Sequence, residues 1–285
     1  MPITLDNVSY IYAPGTPFEA AALHGLSLTI EDGEYVGIMG QTGCGKSTLI
    51  QLLAGLLPPA SGRILLDGLD INGRGYNRDT LRRSVGIVFQ YPEYQLFETT
   101  VEKDVAFGLR HSGLSKEEIA RNVRWAIETV GFNFEAVRAL SPLSLSGGEK
   151  RRIAIAGVLA VKPRILILDE PIAGLDPLGR EAFLALTKDL NHAGTTIIMV
   201  SHNADALSET AGRILVLEAG RLIMDGPAKA IFRDAEMLFK RGIGISQSRE
   251  IAYLLNKCGY DVPQDIIRYE ELLPYLVAVG KGRGL

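Results

Sequence analysis

Gly40-Gln41-Thr42-Gly43-Cys44-Gly45-Lys46-Ser47 decides the reading of this chain. It fits the pattern G-x-x-x-x-G-K-S/T, in which glycines let the backbone curl until successive N–H groups point inward at phosphate oxygens. The apolar run Tyr35–Met39 before it reads as a strand, and Thr48–Ala54 after it reads as a helix that ends at Gly55. That order is what anion binding requires, because free N–H groups and the partial positive charge of a helix N-terminus then meet the ligand together. Lys46 can reach the outer phosphates, and the Ser47 hydroxyl can ligate Mg2+. From residue usage, a chance match in a chain of this size is on the order of one in a hundred. Nucleotide binding is therefore expected, with Gly40, Gln41, Thr42, Gly43, Cys44, Gly45, Lys46, Ser47 and Thr48 as contacts. Cys44 would contribute mainly its backbone N–H.

Two further stretches belong with this loop. Ile165-Leu166-Ile167-Leu168-Asp169-Glu170 is an apolar strand ending in carboxylates. It places Asp169 at the edge where ligands bind in open α/β sheets. There Asp169 can hold the Mg2+ shell, and Glu170 can face the terminal phosphate and polarise a water. Phosphoryl transfer depends mainly on such positioning and electrostatics. Leu145-Ser146-Gly147-Gly148-Glu149 then opens a second helical stretch. Taken alone it is an ordinary N-capped helix or a second anion site. It carries no metal ligands, so as an anion site it completes one supplied from elsewhere. Arg151 and Arg152, just beyond, read as solvated or phosphate-steering charges.

The remaining composition bounds the class. The chain has 285 residues, 47% hydrophobic and 22% charged, which is ordinary for a globular protein and argues against disorder or a coiled coil. Lys plus Arg is 30 against 33 Asp plus Glu, a net charge of −3, so no nucleic-acid partner is expected. Two cysteines cannot build a disulfide framework. No run approaches the roughly 18 apolar residues of a membrane span, and the start lacks a basic and apolar leader. An intracellular chain that does not itself cross a membrane is expected.

Pattern places these motifs. Ile3, Leu5, Val8 and Tyr10 alternate with a slip at Asp6-Asn7 that suggests a bulge. Leu26–Ile30 and Tyr35–Met39 flank Asp32-Gly33, a hairpin signal, and Gly62–Leu66 reads as another strand, ended by Asp67-Gly68. Residues 95–160 read as mainly helical, with a capping box at Ser115 and Glu118 and Gly131 as a C-terminal stop. Short strands at Ile165–Leu168, Thr196–Val200 and Arg213–Glu218, with a helix between the first two, indicate a parallel sheet covered by helices. Trp125 is expected inside the helical part, and His24, His111 and His192 as structural or solvated. From about Pro227 the chain is helical, with Ile251, Leu254, Leu255, Leu272, Leu273, Tyr275 and Leu276 at helical spacing. Stripes of that kind must be buried against something.

Together the motifs resemble the nucleotide-binding subunit of an ABC transporter. Gly40–Thr48 is similar to the family's Walker A motif, Ile165–Glu170 to Walker B and Leu145–Glu149 to the signature. Phe89-Gln90 resembles the Q-loop, Gly174-Leu175-Asp176 the D-loop and Ser201-His202 the H-loop. Tyr12 falls where an aromatic stacks on adenine, with Phe18 the alternative. The motifs run in the family's order over residues 3–230. The resemblance implies an α/β fold: a P-loop NTPase (RecA-like) parallel sheet with an N-terminal antiparallel β part, an inserted helical subdomain and a C-terminal helical extension. The corresponding divisions are 1–94 with 161–227, 95–160, and 228–285. It also implies head-to-tail packing of two subunits around two ATP, each ATP touching Walker A of one and the signature of the other. Glu170, His202 and Gln90 would be catalytic, and Ser47, Gln90 and Asp169 would hold Mg2+. Ser146, Gly147, Gly148 and Glu149 would touch the partner's ATP, with Asp176 in the D-loop beside them.

The runs Phe89–Phe97 and Leu145–Gly157 resemble energy-coupling factor transporter ATPases, the cobalt and vitamin importer branch. The insertion Pro14–Glu19 looks like one of the two paralogous ATPases there. This implies a second ATPase subunit, self or paralogue, an integral membrane coupling protein, a substrate-binding membrane subunit, and a peripheral place on the cytoplasmic face of the membrane. Tyr91–Phe97 would line a groove for a helix of the membrane partner, and the tail would pack against the tail of the partner ATPase. Other ABC importers or exporters are the next alternative. A soluble ABC ATPase acting on DNA or ribosomes fits less well, since Gly45 to Ser146 is short, has no heptad run, and the chain holds one cassette. Three positions depart from the family pattern: Cys44 for Ser, Glu149 for Gln, and Ile172 for Thr. The last allows asymmetry between paired sites.

Overall fold

Two sheets carry the fold of the computed structural model, which describes residues 2–110 and 112–280. His111 and the end of the tail beyond Gly280 lie outside the described residues. The first sheet is antiparallel, in the order β2-β1-β4-β5: β1 (Ile3–Tyr12), β2 (Ala20–Ile30), then β4 and β5. Between them run β3 (Tyr35–Gly40) and α1 (Lys46–Leu53), followed by β4 (Ser61–Leu66), β5 (Leu69–Asp70), α2 (Arg78–Ser84) and β6 (Val85–Val88). The helical insertion holds α3 (Val101–Ala106), α4 (Lys116–Thr129), α5 (Phe134–Val137) and α6 (Gly147–Leu159). The chain then returns through β7 (Ile165–Asp169), α7 (Pro177–His192), β8 (Thr196–Val200), α8 (Ala204–Thr210), β9 (Arg213–Glu218) and β10 (Arg221–Pro227). Four helices follow: α9 (Ala228–Arg233), α10 (Ala235–Lys240), α11 (Gln247–Lys257) and α12 (Tyr269–Gly280).

The second sheet has the order β10-β9-β3-β8-β7-β6 and is parallel except for the β9–β10 hairpin. Asp32-Gly33 does not make the expected hairpin. It forms a local turn, with Glu34 N–H donating to the Glu31 carbonyl at 3.3 Å, but β2 stays in the first sheet and β3 enters the second. The reason lies in burial: all six residues of β3 are buried, so it needs strands on both edges and finds them in β8 and β9. Asp67-Gly68 does close a hairpin, β4 to β5, with φ of 57° and 78°, the left-handed pair of a tight two-residue turn. The slip at Asp6-Asn7 is also present, as a register shift between Leu5 and Val8.

The insertion packs on the apolar faces of its helices, with Val105, Val123, Ile127 and Ile153 buried. α4 starts on the expected capping box of Ser115 and Glu118. Trp125 departs from expectation: it is 37% exposed, its ring covered by the Lys162 ammonium 5.2 Å from the centroid. On α4 it lies two residues from Val123 and Ile127, off their stripe, and so turns outward.

The tail divides where the sequence showed no seam. Ile231, Phe232, Ala235 and Leu238 of α9 and α10 belong to the same core as Met199 and Val216 of the sheet, so the boundary at 227/228 crosses a continuous core. A separate small cluster, Ala252, Val262, Ile266 and Leu272, begins with α11 and α12.

Candidate functional site

Parallel pairing brings the C-terminal ends of β3, β7 and β8 side by side. Ile38 and Asp169 both register with Val200, so the loop after Gly40, the carboxylates after Leu168 and Ser201-His202 meet at one edge. Two glycines shape the loop. A Cβ on Gly40 (φ 149°) would stand 2.3 Å from the Leu217 carbonyl oxygen, and one on Gly45 (φ 104°) 2.7 Å from the Ala22 carbonyl oxygen. Gly45 is the N-cap of α1 and no side chain caps that end, so its first N–H groups are left without a side-chain acceptor. Lys46 is buried and donates to the carbonyls of Gly40 at 2.7 Å and Gln41 at 2.9 Å, which holds its ammonium across the mouth of the loop.

Glu170 is gripped from several sides. Its N–H donates to the Val200 carbonyl at 3.0 Å, its Oε1 accepts from the His202 backbone N–H at 2.9 Å, and its Oε2 accepts from the Ser201 hydroxyl at 3.3 Å. The His202 Nε2 lies 3.6 Å from Oε1. The Glu170 φ of 47° is the left-handed region, strain on the order of 1–3 kcal/mol that the surroundings must hold. Burial pushes the Glu170 carboxyl above its ordinary value, against the His202 and Ser201 hydrogen bonds and Lys46. Asp169 is raised too, first by burial and then by the adjacent Glu170 charge. Burial, and then Lys46, hold the His202 imidazole below its ordinary value, so it is mainly neutral near pH 7.

These groups line one open cleft of about 710 Å³, with Tyr12 at its rim donating to or accepting from Thr48 Oγ1 at 3.0 Å. A strand–loop–helix cradle, a lysine and two strand-end carboxylates in one cleft are the parts of a nucleotide-hydrolysing site. The chain matches the family described as ABC transporter over residues 23–173.

The chain belongs to the ABC transporter family.

Among its relatives, the energy-coupling factor transporter ATP-binding protein EcfA2 of Clostridium perfringens (strain 13 / Type A) is 45% identical over 280 residues, 98% of each chain. The solved structure of cbiO1 from Clostridium perfringens, described as part of the ABC transporter complex cbiONQ, is 38% identical with a TM-score of 0.72, covering 89% of this chain and 98% of that one. A dimeric post-hydrolysis state of the ATP-binding cassette MJ0796 bound to ADP and Pi is 30% identical with a TM-score of 0.69, covering 79% and 98%. The family and the energy-coupling factor branch named from the motifs are thus both borne out, and ATP hydrolysis coupled to transport is the activity of this ABC ATPase.

The expected site residues fall into three groups. Tyr12, Thr42, Gly43, Gly45, Lys46, Ser47, Thr48, Gln90, Asp169, Glu170 and His202 line the cleft. Gly40 and Cys44 are buried beneath the loop, and Gln41 is turned away: its Nε2 donates to the Arg241 carbonyl at 2.6 Å. Ser146, Gly148, Glu149 and Asp176 line a different groove, between α6 and α7, with Gly147 as the first residue of α6 between Ser146 and Gly148, so one chain does not bring them to its own phosphate loop. There Ser146 and Glu149 form a full capping box, the Glu149 Oε2 accepting from the Ser146 N–H at 2.8 Å and hydroxyl at 2.7 Å. Asp176 caps α7 through Gly179 N–H at 2.7 Å. Phe18, the alternative to Tyr12, is exposed and not among the cleft residues.

Arg151 corrects the sequence reading. Arg152 is exposed and lies over the Phe132 ring, as a solvated charge can, but Arg151 is only 5% exposed. Its guanidinium donates to three carbonyls just after the β7 carboxylates: Ala173 at 2.6 Å, Pro171 at 2.6 Å and Glu170 at 3.3 Å. Helical spacing held the signal, since Arg151, Ile155 and Leu159 recur every four residues on the buried stripe of α6. The Gln41–Arg241 contact was also missed, and no local pattern announces it.

Proposed function

We propose that this chain is the ATP-binding and hydrolysing subunit of an energy-coupling factor transporter, working as a pair with a second ATPase subunit, identical or paralogous, to drive vitamin or metal-ion uptake. The observation that carries the reading is the separation of the two anion sites. The loop Gly40–Thr48 and the N-terminus of α6 line different clefts, so the second must serve a nucleotide held by another chain. In this reading Lys46 and the α1 N–H groups hold the phosphates, Tyr12 stacks on the adenine, Glu170 orients the water and His202 steadies both. Ser146, Gly147, Gly148 and Glu149 reach the partner's ATP, and Asp176 stands beside them.

Ser47, Asp169 and Gln90 fit Mg2+: they are oxygen donors on one cleft, and two adjacent carboxylates there face only one lysine. When bound, the ion neutralises charge that develops on the phosphates. The partners follow from surfaces. Tyr91, Tyr94 and Phe97 are exposed on the segment after Gln90, a place for a helix of an integral membrane coupling protein, which in turn meets a substrate-binding membrane subunit. No helix among the described residues is long and apolar enough to cross a membrane, so attachment to the cytoplasmic face would be through such a partner. Residues 1–94 with 161–227 act as the ATPase core, 95–160 as the signature subdomain, and 228–285 as a dimerising extension. The exposed Ile251, Leu254, Leu273 and Val277 support a dimer face on α11 and α12.

The test is Glu170→Gln in the full chain. ATP binding should persist while turnover stops, and an ATP-bound dimer should accumulate on sedimentation. Normal hydrolysis would remove Glu170 from the mechanism.

A further inference from the structure

Two buried polar atoms without partners lie on elements that pack against each other. One is Nε of Arg151 on α6, and the other is Oε2 of Glu93 in the short turn Pro92–Gln95 that follows Gln90 and packs on α6. No ion pair joins Arg151 and Glu93 among the described residues, although burial disfavours the Arg151 cation and Glu93 is the first charge to favour it. A buried donor and a buried acceptor left open next to each other are costly, and a small movement that joins them is favoured. The backbone on both sides is held off its relaxed form: Tyr91, before the turn, has φ 57°, and Glu170 has φ 47°. The other two nitrogens of Arg151 hold the carbonyls of Glu170, Pro171 and Ala173.

We propose that Arg151 is a positioning residue that ties the turn Pro92–Gln95 to the water-orienting Glu170, with Glu93 as the partner its Nε takes when that turn moves toward α6. Movement of the segment after Gln90 then changes how the Arg151 fork holds the Glu170–Ala173 carbonyls, and so where the Glu170 carboxylate points. Arg151 touches no substrate. Its site on α6, the helix that opens at Ser146, joins the chain's own general-base segment to the end that serves the other nucleotide. This inference rests on the reading of Glu170 given above.

The experiment compares Arg151→Lys, Arg151→Met, Glu93→Gln and the Arg151→Met/Glu93→Gln double variant in the full chain. It measures kcat and KM for ATP, equilibrium binding of a non-hydrolysable ATP analogue, and thermal unfolding. Arg151→Met should lower kcat about ten- to a hundredfold, as a misplaced catalytic group does. KM and analogue affinity should stay within about twofold. Arg151→Lys keeps a buried cation without the planar fork, and should recover part of the loss. Glu93→Gln should lower kcat in the native background and add nothing in the Arg151→Met background, as coupled positions do. Unchanged kcat in Arg151→Lys and Glu93→Gln overturns the proposal, and so does a loss of affinity and melting temperature in step with kcat that Lys does not relieve. These two variants decide the matter if Arg151→Met does not fold. Glu170→Gln runs alongside: if it hydrolyses normally, the reading of Glu170 falls, whereas if it is inactive and Arg151→Lys is unimpaired, only the positioning role falls.

Discussion

The helices α1 and α6 open the two anion sites proposed above, and their N-termini are finished in opposite ways. α1 starts from Gly45 in a left-handed conformation with no side-chain cap. α6 starts from Ser146, whose N–H and hydroxyl are both taken by Glu149 of the same helix. Both ends carry the same dipole. The first is left open, while the second is closed by a carboxylate held on the Ser146 N–H and hydroxyl. In the reading proposed above, the open end serves the chain's own nucleotide and the closed end that of a second subunit.

Substitutions at the two ends separate these roles. The largest effect is expected at Glu170, beside the open end, where Gln should lower turnover by about 10²–10³ or more, the usual loss for a preorganised catalytic group. Rapid-mix assays with parallel binding measurements would check it. Lys46→Ala comes next: it removes the charge that bridges the loop, and charge-assisted hydrogen bonds of this kind are worth about 1.5–3 kcal/mol. Equilibrium titration should show weaker ATP binding, and unchanged affinity would mean that the α1 end is not the phosphate site. Tyr12→Ala should weaken binding by about 1–3 kcal/mol if its ring stacks on adenine. The same titration with adenosine and guanosine nucleotides would detect it, and a null result moves the contact elsewhere on the rim.

The smallest effect tests the closed end. Glu149→Gln keeps the shape of the cap and removes its charge. ATP affinity of the isolated chain should not change, ATP-driven dimerisation should strengthen, and the melting temperature should fall slightly because the α6 dipole loses a compensating carboxylate. A change in monomer affinity instead would erase the distinction between the two ends.

Local signals were legible where a few residues settle the matter among themselves. The capping box of Ser115 with Glu118 is a contact over three residues and stands as read, and Ser146 with Glu149 forms a second box of the same kind that the sequence reading did not name. The strand–loop–helix around Gly40–Ser47 and the strand end at Asp67-Gly68 are also short-range features, and they formed as expected. Asp32-Gly33 failed as a hairpin because a turn signal does not say which sheet the next strand joins; that depends on β8 and β9, far along the chain. The packing of α9 and α10 into the core of the sheet was not legible for a related reason, since they look like any amphipathic helices until the sheet that buries them is in place.

The sequence by itself determined the chemistry on offer: the glycine loop with Lys46, the strand ending in Asp169-Glu170, the capped helix at Ser146, and through them the family. The tertiary structure alone decided how those parts are held. It buried Arg151 against carbonyls 19 to 22 residues away, drew Gln41 to a carbonyl 200 residues on, and set Ser146 and Lys46 in separate clefts. The physical reason is range. Turns, caps and helical stripes are settled by neighbours within a few positions, whereas burial of a charge and the partner of a side chain depend on which distant backbone arrives beside it, and only the assembled sheet brings that backbone there.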